Sequence, residues 1–170
     1  MMKHLLLNTA LMGLLIGPSI SFAQDSSSAP SAEAPALSPV AAALSQFPLL
    51  RGTLNKEADY YIYLYSAGWC GPCRRIMPQI VQYYNDTLSK NKRIEMVLID
   101  VDFSEKEARD YISHYNADFP AILGGSPEID KLPGAYAVRA IPHCIAVDKN
   151  GNRVFGGHAA TLFRNIELLK

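Results

Sequence analysis

Trp69-Cys70-Gly71-Pro72-Cys73 sets two thiols two residues apart, a spacing that can close a small, reversible disulfide. The flanks place this pair at a turn. Tyr60-Tyr61-Ile62-Tyr63-Leu64-Tyr65 is rich in aromatic residues and reads as a strand, and residues 74–88 read as a helix. A thiol attacks only as the thiolate, and free N–H groups at a helix N-terminus favour that anion. Cys70 is placed to benefit. Pro72 suits a first helical turn, where its missing N–H has no partner to lose, and Gly71 removes bulk between the sulfurs. Cys73, one turn in, is expected to be shielded. That asymmetry assigns roles: Cys70 attacks a substrate disulfide, and Cys73 attacks Cys70 to release the product and close the ring. A structural disulfide and a zinc half-site are the competing readings. A structural zinc site needs about four ligands, and no second paired Cys or Cys/His element stands at matching spacing, so neither a metal nor another cofactor is expected.

Residues 1–23 pair a basic start at Lys3 with an apolar run and end in Ser21-Phe22-Ala23, which predicts a signal peptide cleaved before Gln24. Asn8, Gly13, Gly17 and Pro18 interrupt the run and argue against a membrane anchor. Residues 24–39, made of Ala, Ser, Pro and a few charges, predict a disordered linker, and residues 40–170 a single folded domain. An exported product, periplasmic or secreted, meets an oxidising compartment. Of the three cysteines, Cys70 and Cys73 are the natural pair there and Cys144 is left over. Sixteen basic residues balance sixteen acidic ones, and none gather on one face beyond Arg74-Arg75, so a nucleic-acid partner is not implied. A monomer is the expected state.

Residues 93–101 form a nearly continuous apolar run, the pattern of a strand buried on both faces. Ser104 followed by Glu105 and Glu107 predicts a capped helix with Ala108, Tyr111, Ile112 and Tyr115 as its apolar stripe. Residues 116–127 read as turns, and 129–138 as a short helix interrupted at Pro133-Gly134. Residues 143–148 read as a strand, Lys149-Asn150-Gly151 as a hairpin turn, 152–155 as the partner strand and 159–169 as a closing helix. This order gives an α/β sandwich with a mixed central sheet, flanking helices and a C-terminal hairpin plus helix.

Trp69-Cys70-Gly71-Pro72-Cys73-Arg74, Pro78 within the following helix, and Ile141-Pro142 before a strand together resemble the thioredoxin superfamily over residues 53–170. Residues 65–70, 96–100, 118–121, 141–143 and 148–151 are similar to the tryparedoxin, nucleoredoxin and bacterial TlpA-like branches. The resemblance implies a protein thiol-disulfide oxidoreductase acting on thiols or disulfides of protein substrates, with a separate electron-transfer partner. It also implies a cis peptide at Pro142, whose loop exposes the Ile141 backbone to an extended substrate, and a substrate contact through Trp69. Gly71-Pro72 is similar to the reducing members. Two positions depart from the pattern. Leu64 stands where thioredoxin has a buried Asp that takes the proton of the second cysteine. His143 stands where a Thr is common after the proline; it is read either as a solvated side chain or as a titratable group near Cys70. Strand alternation makes Cys144 a small buried hydrophobe, with a third reactive thiol as the sharper alternative. A copper chaperone using Cys70, Cys73, His143 and Cys144, and a redox-regulated binding module without turnover, are the alternative functions.

Overall fold

The computed structural model describes residues 36–169. The expected leader and all but the end of the expected linker lie outside the described residues. The chain enters helix α1 (Pro39–Leu44), where the Ser38 hydroxyl accepts the Ala41 N–H at 3.2 Å and Pro39 opens the first turn. Six strands follow: β1 (Leu49–Arg51), β2 (Tyr60–Ser66), β3 (Ile94–Asp100), β4 (Ala121–Leu123), β5 (His143–Asp148) and β6 (Arg153–His158). They form one sheet in the order β1-β4-β3-β2-β5-β6. β2, β3 and β4 run parallel, while β1, β5 and β6 pair antiparallel with their neighbours. Helices α2 (Gly71–Asp86), α3 (Glu105–His114) and α4 (Ala159–Arg164) complete the mixed α/β architecture.

Period-two alternation splits the interior into two cores. Ile62, Leu64, Met96, Leu98, Cys144 and Ala146 point to the face that carries Met77 and Ile80 of α2, Ile112 of α3 and Leu162 of α4. Tyr61, Tyr63, Tyr65, Val97, Ile99, Ile145 and Val147 point to the other, beneath Val40 and Leu44 of α1 and the segment carrying Ile129 and Leu132. All seven residues of β3 are buried, as expected of a strand with a neighbour on each side and cover on both faces. The aromatic run of β2 supplies the second core, and two of its hydroxyls find backbone partners: Tyr61 donates to the Asn55 carbonyl at 3.2 Å and Tyr63 to the Pro133 carbonyl at 3.1 Å, while the Tyr65 hydroxyl is buried without one among the described residues.

Several expectations need correction. β1 and β4 occupy stretches without strand periodicity; each is three residues long, and their pairing with each other and with β3 decides their conformation. The expected helix over 129–138 is one 3₁₀ turn at Ile129–Lys131, because this segment is spent covering the second core. The closing helix ends at Arg164, with a 3₁₀ turn at Ile166–Leu169, and the second hairpin strand runs on to His158. Among the described residues no helix is long and apolar enough to cross a membrane.

Candidate active site

β2 ends at Ser66, and four residues later Cys70 is the N-cap of α2. Its Sγ accepts the Cys73 N–H at 3.2 Å, the place a Ser or Asp oxygen takes in an ordinary cap. Gly71 and Pro72 fill the first turn. Cys70 and Cys73 form a disulfide with their Cα atoms 5.2 Å apart. Cys70 is 5% exposed and Cys73 fully buried, so a substrate approaching the pair meets Cys70 first. Ala67, Val101 and Ile141 enclose the two sulfurs in an apolar setting.

The Ile141–Pro142 peptide is cis, and the Ile141 carbonyl oxygen lies 3.7 Å from the Cys70 sulfur. A cleft of about 550 Å³ opens beside Cys70, lined by Tyr65, Trp69, Gly71, Pro72, Val101 and the 138–141 segment. Trp69 is 54% exposed. Its indole N–H donates to the Val101 carbonyl at 3.3 Å, and its ring stacks on Phe103 at 6.0 Å between centroids. Phe103 is itself 84% exposed, so the two rings form one flat apolar surface next to the disulfide.

His143 is half-buried beside Tyr136. Its Nε2 lies 2.5 Å from the Tyr136 hydroxyl, and the two rings meet edge to face. Arg153 sits over the other ring surface of Tyr136, 4.8 Å from the centroid. A Cβ at Gly156 would stand 2.6 Å from the Tyr136 hydroxyl, so this contact depends on a glycine across the hairpin. Burial, and then the neighbouring His158, hold His143 below its usual range and favour the neutral ring. Cys144 is buried in the first core beside Leu64, as strand alternation predicts. Desolvation pushes its thiol far above the usual range, which disfavours the thiolate.

Sequence reasoning missed the loop after β3. The Asp102 carboxylate accepts the Gly68 N–H with both oxygens, at 2.9 and 3.1 Å, and so fixes the turn that presents Trp69 and Cys70. Asp100, fully buried, accepts the Asp102 N–H at 2.9 Å. Burial, together with the facing Asp102 side chain, raises the Asp100 carboxyl well above the usual range. A proton on Asp100 turns two facing carboxyls from repulsion to a hydrogen bond. The signal available in the sequence was position: Asp100 ends a central parallel strand and Asp102 and Phe103 follow it, and the carboxyl ends of such strands are where α/β sheets build sites.

A disulfide capping a helix, one sulfur reachable and one buried, facing a cis-proline loop beyond the carboxyl end of β2 in a mixed sheet, defines a dithiol-disulfide redox protein. A family model described as thioredoxin-like matches residues 58–153; the chain belongs to that family. It is similar to probable nucleoredoxin 1 of Arabidopsis thaliana, 36% identical over 102 residues, which cover 59% of this chain and 17% of that protein. It is also similar to the thiol-disulfide oxidoreductase ResA of Bacillus cereus, 29% identical over 86 residues, covering 51% of this chain and 47% of that protein. The match therefore spans about a sixth of the first relative and about half of the second. Among solved structures, native tryparedoxin I of Crithidia fasciculata superposes with a TM-score of 0.60 at 28% identity, over 76% of this chain and 94% of that one.

Proposed function

We propose that the protein is an exported thiol-disulfide oxidoreductase that reduces disulfides in protein substrates through the Cys70/Cys73 couple. The observation that carries this reading is the unequal pair: Cys70 at the mouth of a cleft and at a helix N-terminus, Cys73 behind it and out of solvent. The Cys70 thiolate attacks a substrate sulfur and displaces the first substrate thiolate, giving a mixed disulfide. Cys73 then loses its proton and attacks Cys70, the second substrate thiolate leaves, and two electrons have passed to the substrate. Trp69, Gly71 and Pro72 shape the approach. Ile141 and Pro142 offer backbone to an extended substrate segment by strand addition. The leader-like residues 1–23 support export, and a separate electron donor restores the dithiol.

Direction of electron flow is tested by equilibrating the Cys70/Cys73 pair against glutathione, with Cys144→Ala alongside. A potential near about −270 mV is the expected result and marks a reductase; one near about −120 mV would mark an oxidant and reject the reductase role. Cys144→Ala is expected to leave the value unmoved, because its thiol stays buried and protonated.

A further inference from the structure

We infer that the cleft beside Cys70 selects protein segments carrying an Asp or Glu close to the disulfide cysteine, and that Arg75 and Arg139 are the side chains that read that charge. This rests on the reductase reading above and names its substrate class.

Trp69 and Gly71 form a ridge shared by two grooves. On one side, Arg139 is the sole charged side chain lining the cleft among the described residues, and every other lining residue is uncharged. On the other side Arg75 leans over the ridge, with one guanidinium nitrogen 3.7 Å from where a Cβ on Gly71 would stand. The two cations thus flank the path to Cys70. Arg74, beside Arg75 on the same groove, adds a third cation there, unpaired among the described residues, while three arginines farther away are paired. Arg51 pairs with Asp118, Arg93 with Asp59 and Arg109 with Glu105. Arg75 and Arg139 have no ion pair or hydrogen bond among the described residues. The acids Asp102, Glu107 and Asp110 of the neighbouring groove bond to the Gly68 N–H, Ser104 and Lys106, pair with neither Arg75 nor Arg139, and do not line the cleft that opens on Cys70.

Uncommitted charges of one sign beside a reactive atom raise the local concentration of oppositely charged ligands and steer their approach. The occupant is a protein segment because the site offers what an extended chain uses, the Ile141 backbone at the cis-proline loop and the flat Trp69–Phe103 surface.

The test is single-turnover reduction, by the pre-reduced protein, of two disulfide-linked peptides that differ only in Asp or Lys on both sides of the cysteine. Glutathione disulfide is the third substrate. At low ionic strength the Asp peptide is expected to react about tenfold faster, with the ratio falling toward one in about 1 M salt. The Arg75→Glu/Arg139→Glu double variant is expected to invert it. Because the readout is a ratio, any general effect of the arginines on the Cys70 thiolate cancels. A ratio of one in the unaltered protein, or a ratio the variant leaves in place, overturns the inference. Faster reduction of glutathione disulfide than of the Asp peptide overturns the choice of a protein segment. Failure to reduce all three rejects the reductase reading itself and the inference with it.

Discussion

Two buried acids set how this protein responds to pH. Glu95, held by the N–H groups of Asn55 and Met96, is pushed up to about 7 by burial, and Asp100 is raised by burial and by facing Asp102. In the unfolded chain both titrate near about 4. Their folded pKa values lie above that, so the stability they confer is complete at acid pH and is lost as pH rises through the folded values. Asn at position 100 keeps the shape of the neutral acid and has an amide to donate to Asp102. Asp100→Asn should therefore gain on the unaltered protein as pH rises from about 5 to about 9, by at most about 1.4 kcal/mol per pH unit. Thermal unfolding midpoints across that range decide it. A constant difference would mean that Asp100 does not carry its proton into the folded state. The Cys70/Cys73 chemistry was legible from type and spacing alone. The partner of His143 was not, because Tyr136 is brought to it by a loop whose course no local pattern dictates.

At the scale of elements, α2 shows how a fold repairs a breach in its own backbone. The helix runs on through Pro78, which has no N–H for the Arg74 carbonyl four residues earlier. The Tyr115 hydroxyl, from beyond the end of α3, donates to that carbonyl at 3.2 Å. Tyr115→Phe should cost about 0.5 to 1.5 kcal/mol in urea unfolding. In a Pro78→Ala background, where the backbone N–H returns, most of that cost should disappear. Additive effects of the two substitutions would show that the hydroxyl does not substitute for the missing N–H. The capped start of α3 was readable, since Ser104 caps it locally, its hydroxyl accepting the Glu107 N–H and donating to the Glu107 carboxylate. β1 and β4 were not: three residues carry no period, and what makes them strands is register with each other and with β3.

Over the whole domain, both faces of the sheet are covered, so no face of the central strand is a tolerant one. Leu98 points into the core under α2 and α3, and Ile99 into the core under α1; both are fully buried. Leu98→Ala and Ile99→Ala should each lose about 2 to 5 kcal/mol of unfolding free energy. A sheet with one wet face would lose that from one of them alone. The sequence carried this in the nearly continuous apolar run of residues 93–101, although not which partner strands would flank it.

The stack of Trp69 on Phe103 has an optical consequence. The chain has a single tryptophan, and it is the residue next to Cys70. Disulfides accept energy and electrons from excited indoles, whereas thiols do so less well. All indole emission from this protein therefore originates beside its redox centre. Adding reductant should brighten it, adding a substrate disulfide should dim it again, and each turnover can be followed in real time with no label attached.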